Sequence, residues 1–208
     1  MTPKWLNEGN REYIDVHSNL LGYVDVLNFF EEIERDFDVL HYCNGSNAGG
    51  RFVFQILNHE FIIDLAQIVN SKIQKEHILL EVMAGDGSLT RFLKPHIRAE
   101  MIATDSKRNV HDIPYPKWIV EYEALDAIDR FRPDAVLLSW EPLLSSTGLA
   151  ICESGIPLIW IGDPEKCAPH SGIFDNEHKK LGNRFSLGRS DEFAEREFRS
   201  DIYLFNWH

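Results

Sequence analysis

The sequence contains no long hydrophobic run. No apolar stretch approaches the roughly 20 residues that a membrane-spanning helix needs, and the first residues lack the charged-then-apolar pattern of a secretory signal. Cysteine is also scarce: Cys43, Cys152 and Cys167 are odd in number and lie far apart, which argues against a disulfide framework. These absences predict a protein that is not inserted in a membrane and that resides in the reducing cytoplasm.

Positive charge is in short supply as well. The chain has 21 Lys and Arg against 33 Asp and Glu, and its net charge is −12. Because an acidic protein repels phosphate backbones, extended nucleic-acid binding is disfavoured. The basic residues near the C-terminal end alternate with acidic ones, as is typical of a solvated face. We therefore expect a small-molecule or protein substrate, and no sequence feature indicates an oligomeric state.

Several site signatures are missing too. Cys167-x-x-His170, with Asp175 and His178 nearby, offers metal-ligand types but lacks the second closely spaced pair of a zinc site, so no metal is predicted. Gly85 is not followed by the Gly-Lys-Ser/Thr of a triphosphate-binding loop, and no nucleophile elbow occurs.

What the sequence does contain is centred on residues 78–90. The short apolar run 78–82 meets the turn Gly85-Asp86-Gly87, and an amphipathic segment follows. This pattern predicts a buried parallel strand, a tight turn and a helix over residues 89–96 with Ser88 as N-cap. Such a turn at the edge of an α/β sheet is typical of a nucleotide-type site, although a plain tight loop explains it equally well.

A second short apolar run, residues 99–103, ends at Asp105. The number of residues between the glycine turn and Asp105 is typical of a carboxylate that accepts hydrogen bonds from a ribose diol. As a strand-end residue, Asp105 is expected to matter for binding and little for stability. A dinucleotide fingerprint would place a third glycine where this chain has Thr90, which argues against an NAD-dependent oxidoreductase.

Four segments in this order resemble the motifs of the class I S-adenosylmethionine (SAM)-dependent methyltransferases. They are residues 81–87 as the first motif, Asp105 at the ribose position, Asp126-Ala127 at the adenine position with Asp129 as the alternative acid, and residues 134–142 as the fourth strand with its terminal motif. Residues 139–142, followed by a fifth strand that contains glycine, resemble a poorly characterised group of these enzymes. The resemblance covers residues 75–162. It implies SAM as cofactor, with Glu81, Gly85 and Gly87 at the methionine end of that molecule. The complete set of cofactor-binding residues it implies is Glu81, Ala84, Gly85, Asp86, Gly87, Asp105, Ser106, Asp126, Ala127 and Ser139.

The acceptor side departs from known patterns. Ser139-Trp140-Glu141-Pro142 differs from the Asn/Asp-Pro-Pro-aromatic motif of some amino-methyltransferases, so an adenine or amide acceptor is not supported. Trp140 and Glu141 are the candidate catalytic residues, the first stacking on a flat substrate and the second accepting a proton; packing is the alternative for Trp140. Two functions follow: methyl transfer to a small molecule or protein site, or a non-catalytic binding or scaffold role on the same fold.

The pattern as a whole predicts an α/β protein. The resemblance implies a Rossmann-like, doubly wound, mostly parallel seven-stranded sheet with an antiparallel last strand. Residues 1–74 are expected to form an N-terminal helical cap, which either closes the pocket or merely covers the sheet, and residues 75–208 the SAM-binding core. The cap should hold a helix over residues 23–38 and a second helix with one apolar face, and residues 176–181 should form a short helix. That second face consists of Phe54, Leu57, Phe61, Leu65 and Ile68.

Overall fold

The computed structural model of the protein describes residues 6–7, 12–108 and 113–207. In chain order its elements are β1 (Leu6–Asn7), β2 (Glu12–Tyr13), α1 (Tyr23–Asp36), α2 (Val39–Cys43), β3 (Gln55–Ile56), α3 (His59–Lys72), β4 (Ile78–Val82), α4 (Ser88–Leu93), β5 (Glu100–Asp105), β6 (Val120–Glu121), α5 (Ala124–Phe131), β7 (Ala135–Ser139), α6 (Thr147–Glu153), β8 (Leu158–Gly162), β9 (His178–Lys180), β10 (Leu187–Gly188) and β11 (Asp201–Phe205). None of these helices has the length and apolar character required to span a bilayer within the described residues.

The central sheet has seven strands in the order β6-β5-β4-β7-β8-β11-β9. The first five of these pair in parallel, whereas β11 runs antiparallel to both β8 and β9. The predicted Rossmann-like fold with an antiparallel last strand is thereby confirmed. Because the chain moves outward from β4 through β5 to β6 and then returns to β7, the strand order reverses between β4 and β7. Ligand crevices of open α/β sheets lie at such a reversal.

Both faces of the sheet are covered, as the nearly continuous apolar strands require. Leu79 packs in the cluster that contains α3 and α4, and its neighbour Leu80 packs in the cluster that contains α5 and α6. This alternation follows from the period of two along a strand. It makes the core a three-layer structure with β4 at its centre.

A third apolar cluster forms the cap beside the sheet. It is built on α1, whose Phe29, Phe30 and Ile33 are fully buried, and it also contains Leu187 and Phe193 from near the C-terminal end. The short strands β3 and β10 pair antiparallel and so connect the N-terminal part of this cluster with its residues from near the C-terminal end. The cap thus draws on both ends of the chain.

Two sequence predictions are wrong in detail. The second cap helix starts at His59, after Phe54 and Leu57, because the Asn58 side chain caps it by accepting the Phe61 N–H at 2.8 Å. The segment 176–181 contains the strand β9 (His178–Lys180) instead of a helix. Every residue of β9 is exposed at the sheet edge, so the strand carries no apolar alternation by which the sequence could have identified it.

Candidate functional site

A cavity of about 820 Å³ opens at the carboxyl ends of β4, β5 and β7, where the strand order reverses. Cap residues lie on its other side, among them His17, Arg51 and Phe54. Its volume falls in the range of roughly 300–1,000 Å³ that small-molecule sites occupy. Of the residues predicted to bind cofactor or to act in catalysis, those in this cavity are Glu81, Ala84, Gly85, Asp86, Asp105, Ser106, Ser139, Trp140 and Glu141.

The turn after β4 is built from left-handed residues. Met83, Gly85 and Gly87 have φ of 55°, 55° and 71°. Among the described residues, the nearest atom to a Cβ added at Gly85 is on Ile113, at 3.9 Å, so this part of the backbone faces the cavity. A Cβ at Gly87 would instead collide with the Trp118 ring. Gly85 therefore leaves room for a ligand, whereas Gly87 is required by packing and by its φ.

The helix after the turn begins one residue earlier than predicted. Ser88 is the first residue of α4 and Gly87 its N-cap. Asp86 supplies the side-chain cap, since its Oδ1 accepts the Ser88 N–H at 2.9 Å and its Oδ2 accepts the Ser88 hydroxyl at 2.9 Å. The aspartate between the two glycines thus fixes the helix start.

Asp105 ends β5 directly beside the glycine turn. Its Oδ2 accepts the Gly85 N–H at 2.9 Å, and its Oδ1 accepts the Lys107 N–H at 2.8 Å. A carboxylate has about four acceptor positions, so both oxygens retain capacity for a ligand hydroxyl. The carboxylate also ties two loops together, and this structural role was not expected from the sequence.

Glu81 is a buried acid on the cavity floor. Its side chain is 2 % exposed and accepts a hydrogen bond from the Thr90 hydroxyl. Burial raises the pKa of Glu81 to about 8, with the nearby Asp86 contributing in the same direction. The group therefore holds a proton at neutral pH, and a cation placed beside it would favour the ionised form.

Asp126 and Ala127 do not reach the cavity. Both lie in α5, where Asp126 is exposed on the first turn and Ala127 is buried in the cluster under the sheet. The helix begins at Ala124, only three residues after β6 ends, so these side chains belong to a helix and not to the loop. The cavity wall beside Ser106 is formed instead by Ile113, Pro114 and Tyr115.

Trp140 follows β7 in a left-handed conformation, with φ of 56°. Its indole N–H donates to the Gln55 Oε1 at 2.7 Å. Gln55 is held in turn by Ser186 and Ser200, at 3.0 and 2.9 Å. The ring therefore forms a fixed part of the cavity wall. Left-handed non-glycine residues cost free energy and cluster at functional sites.

The Glu141 carboxylate is engaged within the protein. Oε1 accepts the Ser145 hydroxyl at 2.7 Å and the Gly148 N–H at 2.8 Å, and Oε2 accepts the Trp160 indole N–H at 3.1 Å. With 1 % exposure, the side chain ties the first turn of α6 to β8. This arrangement gives Glu141 a structural role and leaves little of it available to a substrate.

Other residues of the cavity were not identified from the sequence. Arg51 bridges the cap and the glycine turn, because its guanidinium binds Asp15 and Asp86, each at 2.6 Å. The fully buried His17 accepts the Leu57 N–H at 3.1 Å through Nε2, and burial lowers the pKa of this imidazole to about 4. The only local signal for Arg51 is its place after the loop ending in Gly49-Gly50, which does not identify its partners.

Neither protein-family models nor curated proteins give a match to this chain. Solved structures do resemble it. The CurJ carbon methyltransferase is similar with a TM-score of 0.42 and 12 % identity, over 86 % of this chain and 57 % of that one. The precorrin-6y C5,15-methyltransferase of Geobacter metallireducens gives 0.43 and 11 %, over 71 % and 87 % of the two chains. The O-methyltransferase of Bacillus cereus, solved in complex with S-adenosylhomocysteine (SAH), gives 0.42 and 12 %, over 70 % and 79 %.

This chain therefore spans little more than half the length of the CurJ structure. Because the identities and TM-scores are this low, the fold assignment rests on the strand order and pairing described above. That order defines a Rossmann-like, seven-stranded sheet with one antiparallel strand, the fold expected of a class I methyltransferase.

Proposed function

We propose that the protein is a SAM-dependent methyltransferase. One observation carries the proposal: the Asp105 carboxylate and the accessible side of Gly85 lie next to each other in one large cavity. This cavity is located where the strand order reverses. A carboxylate at the tip of the second parallel strand, beside a glycine turn after the first, suits a ribose diol.

The residues present fit this cofactor. Asp105 has acceptor capacity for the ribose hydroxyls, and Gly85 leaves space where any side chain would intrude. Glu81, buried and protonated in the free protein, would be stabilised in its ionised form by the positive charge of SAM. Ile113 and Pro114 replace Asp126 and Ala127 as the candidates for the adenine end, since they line the cavity and the predicted pair does not.

When bound, SAM supplies a methyl group on a sulfonium, which an acceptor atom takes by in-line displacement. The chain's own contribution is to hold the two partners in line, and such positioning supplies several kcal/mol. The fixed ring of Trp140 limits where an acceptor lies. Glu141 is not assigned as a base, because both its oxygens already accept hydrogen bonds.

Calorimetry tests the proposal. We expect SAM and SAH to bind with micromolar dissociation constants and NAD not to bind. Thr90, which stands where a dinucleotide fingerprint has glycine, donates to Glu81 and so has a different use here. A folded sample that binds neither SAM nor SAH at millimolar concentration would contradict the proposal.

A second candidate is a non-catalytic binding protein on the same fold. It is favoured by the engagement of Glu141, which leaves the acceptor end without an assigned base. A lysate incubated with the protein and SAM labelled on the methyl group distinguishes the two. The methyltransferase proposal predicts a labelled metabolite or protein fraction, whereas binding of SAH with no labelled fraction supports the non-catalytic role.

A further inference from the structure

The cavity extends beyond the proposed cofactor residues to a second region, which we call the acceptor end. It is bounded by Phe54 of the cap, Trp140 and Leu143 after β7, and Lys166 and Arg189 from loops near the C-terminal end. These residues come from separate parts of the chain and surround the space next to Ser139. An inference about this region rests on the proposed function, because the acceptor end is defined by its place beside the cofactor.

Arg189 is the central feature of the acceptor end. Its guanidinium lies 4.8 Å from the centre of the Phe54 ring and donates to the Asn44 side-chain oxygen. Its backbone N–H donates to the Phe54 carbonyl at 3.0 Å, so the two residues are held together. Both line the cavity. The guanidinium is thus fixed by an aromatic face and a neutral amide.

No carboxylate in the described part of the chain forms an ion pair with Arg189. This is unexpected in a protein with a net charge of −12, where acidic partners are plentiful. Burial lowers the pKa of Arg189, which indicates a partly desolvated cation. A cation withdrawn from water without a counter-charge is costly, and a bound anion would offset that cost.

Other basic residues around the cavity do not present the same situation. Arg199 is paired with Glu192 at 2.9 Å and with Glu197 at 3.7 Å, and Arg51 with Asp15 and Asp86. Lys166 also lines the cavity, but it is exposed to solvent, so its charge is not desolvated. Among the described residues, Arg189 is therefore the partly buried cation of the acceptor end that has no carboxylate partner, and its guanidinium lies against an aromatic ring.

Aromatic and apolar side chains lie next to Arg189. The Phe54 and Trp140 rings have centres 6.3 Å apart and are tilted by 43° to each other, so each can offer a ring face, and Leu143 also lines this part of the cavity. Trp140 cannot turn freely, because Gln55 accepts its N–H. Aromatic walls of this kind favour flat ligands, and a guanidinium recognises a carboxylate through paired hydrogen bonds.

We propose that the acceptor end binds a small aromatic carboxylate, with Arg189 pairing with the carboxylate and the Phe54 and Trp140 rings contacting the flat body. The methyl acceptor is thus an anionic aromatic small molecule. This arrangement of rings and cation does not favour a nucleic acid or a protein side chain as the methyl acceptor.

The test compares 2-naphthoate with 2-naphthamide, which share a ring system and differ in charge. Binding to the full-length protein is measured by ligand-observed NMR, both with saturating SAH and without it. We expect naphthoate to bind at least about tenfold more tightly than the amide, as the loss of one charge-assisted pair requires. Arg189→Gln should remove this preference.

Arg184 provides the matched control. Its guanidinium lies 4.6 Å from the Phe185 ring, in an arrangement like that of Arg189 on Phe54, but it does not line the cavity. Arg184→Gln removes the same charge and should keep the preference for naphthoate. Equal affinities for naphthoate and naphthamide in the parent, or an equal loss of preference in both variants, would overturn the proposal.

The two proposals fail in different ways. If SAH binds and naphthoate shows no Arg189-dependent preference, the carboxylate site is refuted and the methyltransferase proposal stands. If SAH does not bind but naphthoate still shows that preference, the carboxylate site stands and the cofactor assignment is refuted. Circular dichroism of each variant establishes that it is folded.

Discussion

The two ends of the cavity are built in different ways. The cofactor end comes from one continuous segment, the turn between β4 and α4, and from the tip of the neighbouring β5. The acceptor end is assembled from the cap, the end of β7 and loops near the C-terminal end. The cofactor end is therefore determined by local backbone chemistry, whereas the acceptor end depends on how distant parts of the chain pack.

Arg51 connects the cap to the glycine turn, so its loss should affect the cofactor end through the cap. The bridging guanidinium is 24 % exposed, and its partner Asp15 is buried. In the variant Arg51→Gln, the carboxylates of Asp15 and Asp86 would lose the cation that they share.

The largest expected effect concerns Glu81 and pH. The folded state holds a proton on Glu81 between its ordinary pKa, 4.5, and about 8, where the unfolded chain has lost it. The contribution of Glu81 to the free energy of unfolding is therefore fully present below pH 4.5. It is lost as the pH rises from there through 8, and the loss is on the order of a few kcal/mol. Glu81→Gln should remove this decline in urea unfolding between pH 5.5 and 9. Glu177→Gln, at an exposed position, should keep the decline of the parent.

The next effect is that of Arg51→Gln. It should lower the free energy of unfolding by about 2–3 kcal/mol, since a buried carboxylate is left without its partner. Arg35→Gln removes an exposed ion pair with Asp36 and should change urea unfolding very little. Equal effects of the two substitutions would show that the bridge from cap to turn contributes nothing.

Asp105→Ala should separate the cofactor end from the rest of the cavity. We expect SAH to bind roughly ten- to a hundredfold more weakly, because the ribose hydroxyls lose a charged acceptor. Stability should also fall by about 1–2 kcal/mol, since the Gly85 and Lys107 amides lose their acceptor. Asp126→Ala is the control for calorimetry: an exposed residue outside the cavity should leave the affinity for SAH unchanged.

Gly188→Ala should disturb the acceptor end alone. A Cβ at Gly188 would collide with the Trp140 ring, so the ring must move and its bond to Gln55 must break. We expect a cost in unfolding free energy of about 1–2 kcal/mol and weaker binding of naphthoate, with the affinity for SAH within about threefold of the parent. Gly22→Ala is the matched control, because φ there is −68° and the nearest atom to an added Cβ is 3.9 Å away.

The cofactor end can be predicted from the sequence to a greater extent than the acceptor end. The strand β4, the turn at Gly85 and the position of Asp105 at the end of the next strand can be predicted, because apolar runs and glycine spacing are local signals. The pairing of Trp140 with Gln55 joins residues 85 positions apart, and no local pattern indicates it. The sequence does not indicate the partners of Arg51 and Arg189 either, because these partners are also distant along the chain.

The differences between the predictions and the structure also have physical causes. The sequence carries no signal for β9, because an edge strand with every residue exposed shows no apolar alternation. The resemblance implies Asp126 at the adenine, whereas the structure places this residue on α5 outside the cavity lining, because the short β6 and the early start of α5 are not visible in the residue pattern. The three hydrogen-bond donors of Glu141 come from positions that become adjacent only on folding, so the sequence alone leaves this residue a candidate base.

A crystal structure of the protein with SAH tests the central claim most directly. We expect SAH in the cavity with both ribose hydroxyls within hydrogen-bonding distance of the Asp105 carboxylate, the amino-acid part beside Gly85 and Glu81, and the sulfur facing Trp140. SAH bound elsewhere, or bound in the cavity with its ribose away from Asp105, would contradict it.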